Sequence, residues 1–259
     1  MQEQKKILLS FDVEEFDLPI EYKQNISIDQ QLEFGYKGLP LVTSFLDAEK
    51  IISTFFTTAF FAENFANEIK KLSSNHEIAS HAYYHSSFKN EDLKNSKQKI
   101  ETIIGKQIYG LRMPRMRRVA TNVVIEAGYT YNSSINPTLI PGRYNHLNAP
   151  RKFFIENSLM QFPVSVTPHL RIPLFWLAFK NLPYSLFLKL ALQTIRHDGY
   201  LCLYFHPWEF IDLSGFKLPG YVTRGGDKKL FEKLKKLLKD LSSEGEFITM
   251  NEFVNSHTS

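Results

Sequence analysis

The chain has 259 residues, 43% of them hydrophobic, and a formal net charge of +4. That length suits one large domain with an ample core, read here as a single unit over residues 1–259, and (β/α) barrels commonly reach it. Charges of both signs are spread along the chain without a basic arm or stacking motif, so nucleic acid is not an expected partner.

The N-terminus, MQEQKKILLSFDVEEFD, has no long apolar stretch before its acids. It does not read as a secretory signal, and a cytoplasmic location is expected. Lys6 to Phe11 is an apolar run too short for a helix, and reads as a buried strand stopping at Asp12. Asp12, Glu14, Glu15 and Asp17 crowd its end, where α/β proteins place their chemistry. Side-chain alternation puts Asp12 and Glu14 on one side if the backbone stays extended.

Gly38 to Ile52 has helical spacing, and Thr54 to Phe61 (TFFTTAFF) reads as a second strand. A short helix is expected over Ala62 to Leu72, and a third strand over His76 to Ser80. His81 and His85 follow, and a helical turn there would bring both imidazoles to one point. A helix over Ser87 to Ile104 leads to a fourth strand, Ile108 to Leu111, which ends at Arg112. Arg118 to Ala127 is a helix closed by Gly128. Tyr129 to Ser134 is a fifth strand, followed by a loop that carries Tyr144.

Met160 to Val166 reads as a strand and Pro183 to Arg196 as a helix. The apolar stretch between Arg171 and Leu192 is interrupted by Lys180, Asn181, Pro183 and Lys189, so no transmembrane span is expected. Its aromatic residues and spaced lysines suggest either a helix packed on the fold or a peripheral membrane contact over 170–192. Tyr200 to Phe205 is a strand ending at His206. The single cysteine, Cys202, lies inside it and reads as a buried thiol. Asp227 to Leu241 is an amphipathic helix, and Phe247 to Met250 a last strand. Alternating strands and helices argue a parallel sheet, open or closed as a barrel. Asp12, His81, Arg112 and His206 each stand just past an apolar strand, as the residues of a barrel-rim site do.

Two imidazoles and a carboxylate with an open position can make a hydrolytic metal site, although an i,i+4 histidine pair is weak evidence alone. The partners at both ends carry more. SFDVEEFD (10–17), NHEIASHAYYH (75–85), GLRMPRM (110–116), GYTYNSSINP (128–137) and LYFHPWEF (203–210) come in the order of five motifs of the polysaccharide deacetylases, the carbohydrate esterases of family four. The chain resembles that family, and most closely its intracellular or exopolysaccharide-locus branch.

The resemblance implies a distorted, seven-stranded (β/α) barrel and metal-assisted removal of N- or O-acetyl groups from a polysaccharide or glycan precursor. It makes Asp12 the general base, Arg112 the residue that holds it and His206 the general acid. His81 and His85 become ligands of a divalent metal, zinc in the first place. Backbone N–H groups near Tyr131 and Asn132 would steady the oxyanion, with Trp208 and Tyr144 lining the substrate groove.

Three positions depart from the family pattern. Val13 stands where a second acid is usual, which passes the metal carboxylate to Glu14. Ala82 replaces a hydroxyl residue, and Asn132 replaces the acid expected to tune His206. The alternatives these leave open are a metal-independent amide hydrolase on the same fold and a non-catalytic glycan-binding relative. Glu15 and Asp17 are expected as loop or supporting residues, His76 and His197 as surface or capping residues. Arg115, Arg117 and Arg118 are expected as a solvated face.

Overall fold

The computed structural model describes residues 4–140 and 144–258. Its strands are β1 (Lys6–Val13), β2 (Thr54–Thr57), β3 (Glu77–Ser80), β4 (Gly110–Leu111), β5 (Tyr131–Ile135), β6 (Leu139–Ile140), β7 (Tyr144–Asn145), β8 (Phe154–Glu156), β9 (Leu159–Pro163), β10 (Tyr200–Phe205) and β11 (Glu246–Phe247). The main sheet runs in the order β10-β1-β2-β3-β4-β5-β9-β8, with β11 beside β1, while β6 and β7 form a separate antiparallel pair. The seven strands from β10 to β9 are parallel at every pairing. The sheet curls until the chain just past β9 meets β10. There the Ser165 N–H donates to the Cys202 carbonyl at 3.0 Å, and the Cys202 N–H donates to Ser165 Oγ at 2.8 Å. The result is the distorted parallel barrel expected from the motifs.

The central strands of the main sheet bury both faces, and alternation divides their side chains between two cores. Ile7, Leu9, Phe11 and Val13 of β1 join the outer layer of helices. Leu8 joins Phe56, Ala79, Tyr131, Met160, Phe162, Tyr200 and Cys202 in the lumen. Met250, Phe253 and Val254 of the helix Met250–Thr258 plug the lumen at the end where the parallel strands begin. Chemistry is left to the other end. Cys202 is buried, and burial pushes its thiol up to about 11, as befits an inert packing residue.

Several elements differ from the expectation. TFFTTAFF is not one strand: Thr58 Oγ1 accepts from the Phe61 N–H and starts the helix Ala59–Asn64. A local side-chain cap thus overrides the β propensity of the run. The helix Ile28–Lys37 was not anticipated, although the Ser27–Gln30 capping box marks its start. The last strand stops at Phe247, and Met250 begins a helix. His76 is buried beside Ser53 and Asp47 rather than exposed.

The segment 170–192 packs on the barrel. Leu174, Phe175, Trp176, Phe179, Phe187 and Ala191 are buried in its helices and their approach. Lys180 is buried too, donating to the Val222 carbonyl at 2.7 Å. Phe175, Trp176, Phe179 and Phe187 are thus taken up by the core, while Leu170 and Leu186 stay exposed. Among the described residues, no helix is long and apolar enough to cross a membrane.

Arg112, just past β4, laces the functional rim together. Its side chain is fully buried, with Nη1 donating to Asp12 Oδ1 at 2.6 Å and to Ser10 Oγ at 3.0 Å. Nε donates to the Ser133 carbonyl at 3.2 Å and Nη2 to Ser133 Oγ at 3.0 Å. One planar fork thereby joins β1 to β5 through the lumen, and its carbon lies 4.1 Å from the Phe56 ring centre. Removing one partner of a buried ion pair strands the other charge. Arg112→Met is therefore expected to lower stability by about 3–5 kcal/mol in urea unfolding, and a loss below about 1 kcal/mol would contradict this role.

Candidate active site

Just beyond β1 the chain continues as Glu14-Glu15-Phe16-Asp17, and all four residues are buried. Alternation sends Asp12 and Glu14 to the same cavity and turns Val13 into the outer core. Val13 therefore offers nothing to the site, and the second carboxylate comes from Glu14.

His81 follows β3 and His85 lies four residues on. They do not form the helical turn expected for them. Instead Ala82 adopts a left-handed φ of 62°. The Ala59 N–H donates to the Ala82 carbonyl and the Phe60 N–H to the Tyr83 carbonyl, both at 3.0 Å. This pinned loop brings the two imidazoles to a centroid separation of 5.7 Å with 19° between their planes. Their Nε2 atoms lie 3.0 Å and 3.1 Å from the same oxygen, Glu14 Oε2.

On the opposite wall, His206 follows β10. Its Nε2 lies 3.9 Å from Asp12 Oδ2 and 3.8 Å from Glu14 Oε1. Glu209 Oε1 accepts from the His206 backbone N–H at 2.7 Å and lies 3.1 Å from Nδ1. Trp208 stacks on the His206 ring at 4.6 Å, and its Nε1–H donates to Glu14 Oε1 at 3.2 Å. Trp176 meets His206 edge-on at 5.4 Å. The cavity between these walls has a volume of about 60 Å³ and is also lined by Phe16, Leu18, Met113, Met116 and Tyr204.

The electrostatics follow from burying carboxylates against imidazoles. Burial alone would raise the Glu14 pKa, but His85, His206 and His81 outweigh it and hold the carboxyl well below the usual range. Burial would lower His85, yet Glu14 and Asp17 raise it from 6.5 to about 9. His206 is raised in the same way, with Glu14, Glu209 and Asp12 overcoming burial. Asp17 is pushed up by burial but held below its ordinary value by His85 and Arg115.

Six of the expected residues, Asp12, Glu14, His81, His85, His206 and Trp208, line this one cavity. Arg112 reaches it through Asp12. Tyr131 and Asn132 are not brought there. Tyr131 lies in the lumen, its hydroxyl donating to Glu77 Oε1 at 2.7 Å at the base of the barrel, and its N–H turns to the Tyr109 carbonyl. Asn132 Nδ2 donates to Gln161 Oε1 at 2.9 Å, and its Oδ1 accepts from Ser134 Oγ. Tyr144 belongs to β7, and its side chain lies outside the described part of the structure.

Other residues take closer parts than the sequence suggested. Asp17 Oδ1 lies 2.8 Å from His85 Nδ1, which aims Nε2 at Glu14. Glu15 accepts from Thr58 Oγ1 at 2.5 Å and stays off the cavity. Arg115 is exposed as expected, yet it also donates to Asp17 Oδ2 at 2.9 Å, to Glu21 Oε1 at 2.7 Å and to the His85 carbonyl at 3.1 Å. Glu209 could have been found from its place three residues after His206, as the partner in a capping box. Trp176 carries no local signal, because only the fold brings it to His206.

Glu14, His81 and His85 offer ligand atoms that all lie within 4.8 Å of one another. Glu14 Oε2 is buried and has no hydrogen-bond partner, although two Nε2 atoms face it at 3.0 and 3.1 Å. An acceptor crowded by two potential ligands and satisfied by neither fits a divalent cation, and two imidazoles with one carboxylate form a three-ligand set with an open position.

Known proteins bear on the family and the fold. The family description "Polysaccharide deacetylase" matches residues 2–132. No curated protein matches the chain. Among solved structures, a Mycobacterium smegmatis protein assigned to the polysaccharide deacetylases superposes with a TM-score of 0.67 at 17% identity, covering 99% of this chain and 91% of that one. The allantoinase PuuE gives 0.64 at 12% identity over 97% of this chain and 90% of that one. A pseudoenzyme of carbohydrate esterase family 4 from Bacillus anthracis gives 0.54 at 13% identity, with 97% and 66% covered. At these identities the superpositions speak for the fold alone, while the sequence match, over half the chain, decides the family. The chain belongs to the polysaccharide deacetylase family.

Proposed function

We propose that the chain is a metal-dependent hydrolase that removes acetyl groups, N-acetyl in the first place, from a polysaccharide or glycan precursor, with residues 1–259 as one catalytic domain. The observation that carries this reading is the convergence of His81 and His85 on one Glu14 oxygen, beside an Arg112-held Asp12 and facing His206. Glu14, His81 and His85 would hold the ion, zinc by the character of the donors. When bound, it would supply Lewis acidity toward the substrate carbonyl and toward water.

The remaining work falls to the chain. The Asp12 carboxylate, held at Oδ1 by Arg112, keeps Oδ2 toward His206 and can accept the proton of an attacking water. As the water oxygen bonds to the acetyl carbon and the C–N bond breaks, His206 Nε2 delivers a proton to the departing amine and acetate is left. Trp176, Tyr204 and Trp208 give the cavity an aromatic lining around His206.

Acetate release from N-acetylated oligosaccharides tests the reading. Asp12→Asn and His206→Ala are each expected to lower kcat by about a hundredfold or more. Activity that survives chelation and the loss of His81 and His85 would favour metal-independent hydrolysis instead.

The charge state of His85 makes ion binding pH-dependent. Its imidazole keeps its proton up to about pH 9 in the ion-free site, and Nε2 must lose that proton to ligate. Apparent affinity should therefore rise with pH and level off near pH 9, by about tenfold per unit below that. Titration of the chelated protein with zinc at several pH values reads this, and a flat profile would contradict it.

A further inference from the structure

Asn132, where the family pattern has an acid, spends its amide on Gln161 and Ser134. His206 nevertheless has an anionic neighbour. Glu209 is fully buried and uses one oxygen, Oε1, for both the backbone N–H and Nδ1 of His206. Its other oxygen, Oε2, is buried without a hydrogen bond and lies 3.8 Å from Lys180 Nζ. Lys180 is itself buried to a side-chain exposure of 0%, reaches the Val222 carbonyl at 2.7 Å, and stands 5.5 Å from the Trp176 ring that packs edge-on against His206.

We propose that Glu209 and Lys180 are positioning residues for His206, the pair that fixes its proton at Nδ1 and turns Nε2 to the cavity in place of the acid missing at position 132. The inference rests on the hydrolase reading for its catalytic consequence, but not for its structural one. Two buried charges cost more to desolvate than a pair of apolar residues of the same size, so packing alone gives no reason to keep them. Their arrangement accounts for their cost. A neutral imidazole carries one N–H, and a carboxylate against Nδ1 selects the tautomer with Nε2 exposed as the working atom. The Lys180 ammonium stands 3.8 Å behind that carboxylate, on the side away from His206 Nδ1. The two residues come from distant parts of the chain, Lys180 from the helix Trp176–Asn181 and Glu209 from the turn after β10. Glu209 follows His206 by three residues, so one turn delivers both the acid and its support.

The test uses the near-isosteric variants Glu209→Gln and Lys180→Met, with Lys180→Gln in reserve should the second not fold. Long-range proton–nitrogen correlation spectra of the whole protein read the His206 tautomer without any substrate. In spectra taken at a pH where the ring is neutral, wild type is expected to show a single Nδ1–H form. Glu209→Gln and the lysine variant should populate the Nε2–H form measurably. With an N-acetylated oligosaccharide, kcat should fall by about tenfold or more while KM changes less than about twofold, and Glu209→Asp should recover part of the loss. An unchanged His206 tautomer in both variants, or an unchanged kcat in Glu209→Gln, would overturn the proposal. Absence of acetate release from wild type would instead count against the hydrolase reading, and the spectra would still decide the pairing.

Discussion

The site depends on the alternation of side chains along β1. A strand buried on both faces must send successive residues to opposite cores. Leu8, Ser10 and Asp12 go inward, and Ile7, Leu9, Phe11 and Val13 go outward into the helical layer. The inward row ends in the base, and the next inward residue is Glu14. Val13, the last residue of the strand, closes the outward row and is packed in the helical layer. The carboxylate that meets the two histidines thus stands two residues after Asp12, on a longer side chain that spans the extra distance.

Around that row the fold concentrates buried charge. Asp12, Glu14, Glu15 and Asp17 share the rim with Arg112, His81, His85, His206 and Glu209, all buried. Such a cluster is tolerable only if every charge has a partner. Arg112 answers Asp12, Arg115 answers Asp17, Thr58 answers Glu15, and Lys180 stands behind Glu209. Glu14 differs, because its Oε2 is met by two imidazoles without a hydrogen bond. Glu209 Oε2 also lacks a hydrogen bond, but only Glu14 Oε2 lies where two imidazole nitrogens converge.

Much of this was legible in the sequence. Apolar runs ending in Asp12, His81, Arg112 and His206 located the strand ends, because a parallel strand buried on both faces reads as a continuous apolar stretch. Alternation put Glu14 on the side of Asp12, and the family resemblance made it the expected metal carboxylate. Features that depend on tertiary return were not legible. Nothing local announces that Tyr131 points to Glu77 at the base of the barrel, or that Trp176 and Lys180 fold back onto His206 and Glu209. Local chemistry was also misread in places. The β-rich run after Thr57 is a capped helix, and the two histidines converge through a left-handed Ala82 rather than a helical turn. In both cases one hydrogen-bonding or backbone choice outweighed the periodicity of the surrounding residues.

The central claim is that Glu14, His81 and His85 act together as the ligands of one divalent ion. Elemental analysis of the purified protein after equilibration with zinc tests it most directly, beside Glu14→Ala and the double variant His81→Ala/His85→Ala. The account predicts about one ion per chain in the wild type and a loss of most of it in both variants, with the fold intact. Full retention in Glu14→Ala, or no bound ion in the wild type, would contradict it.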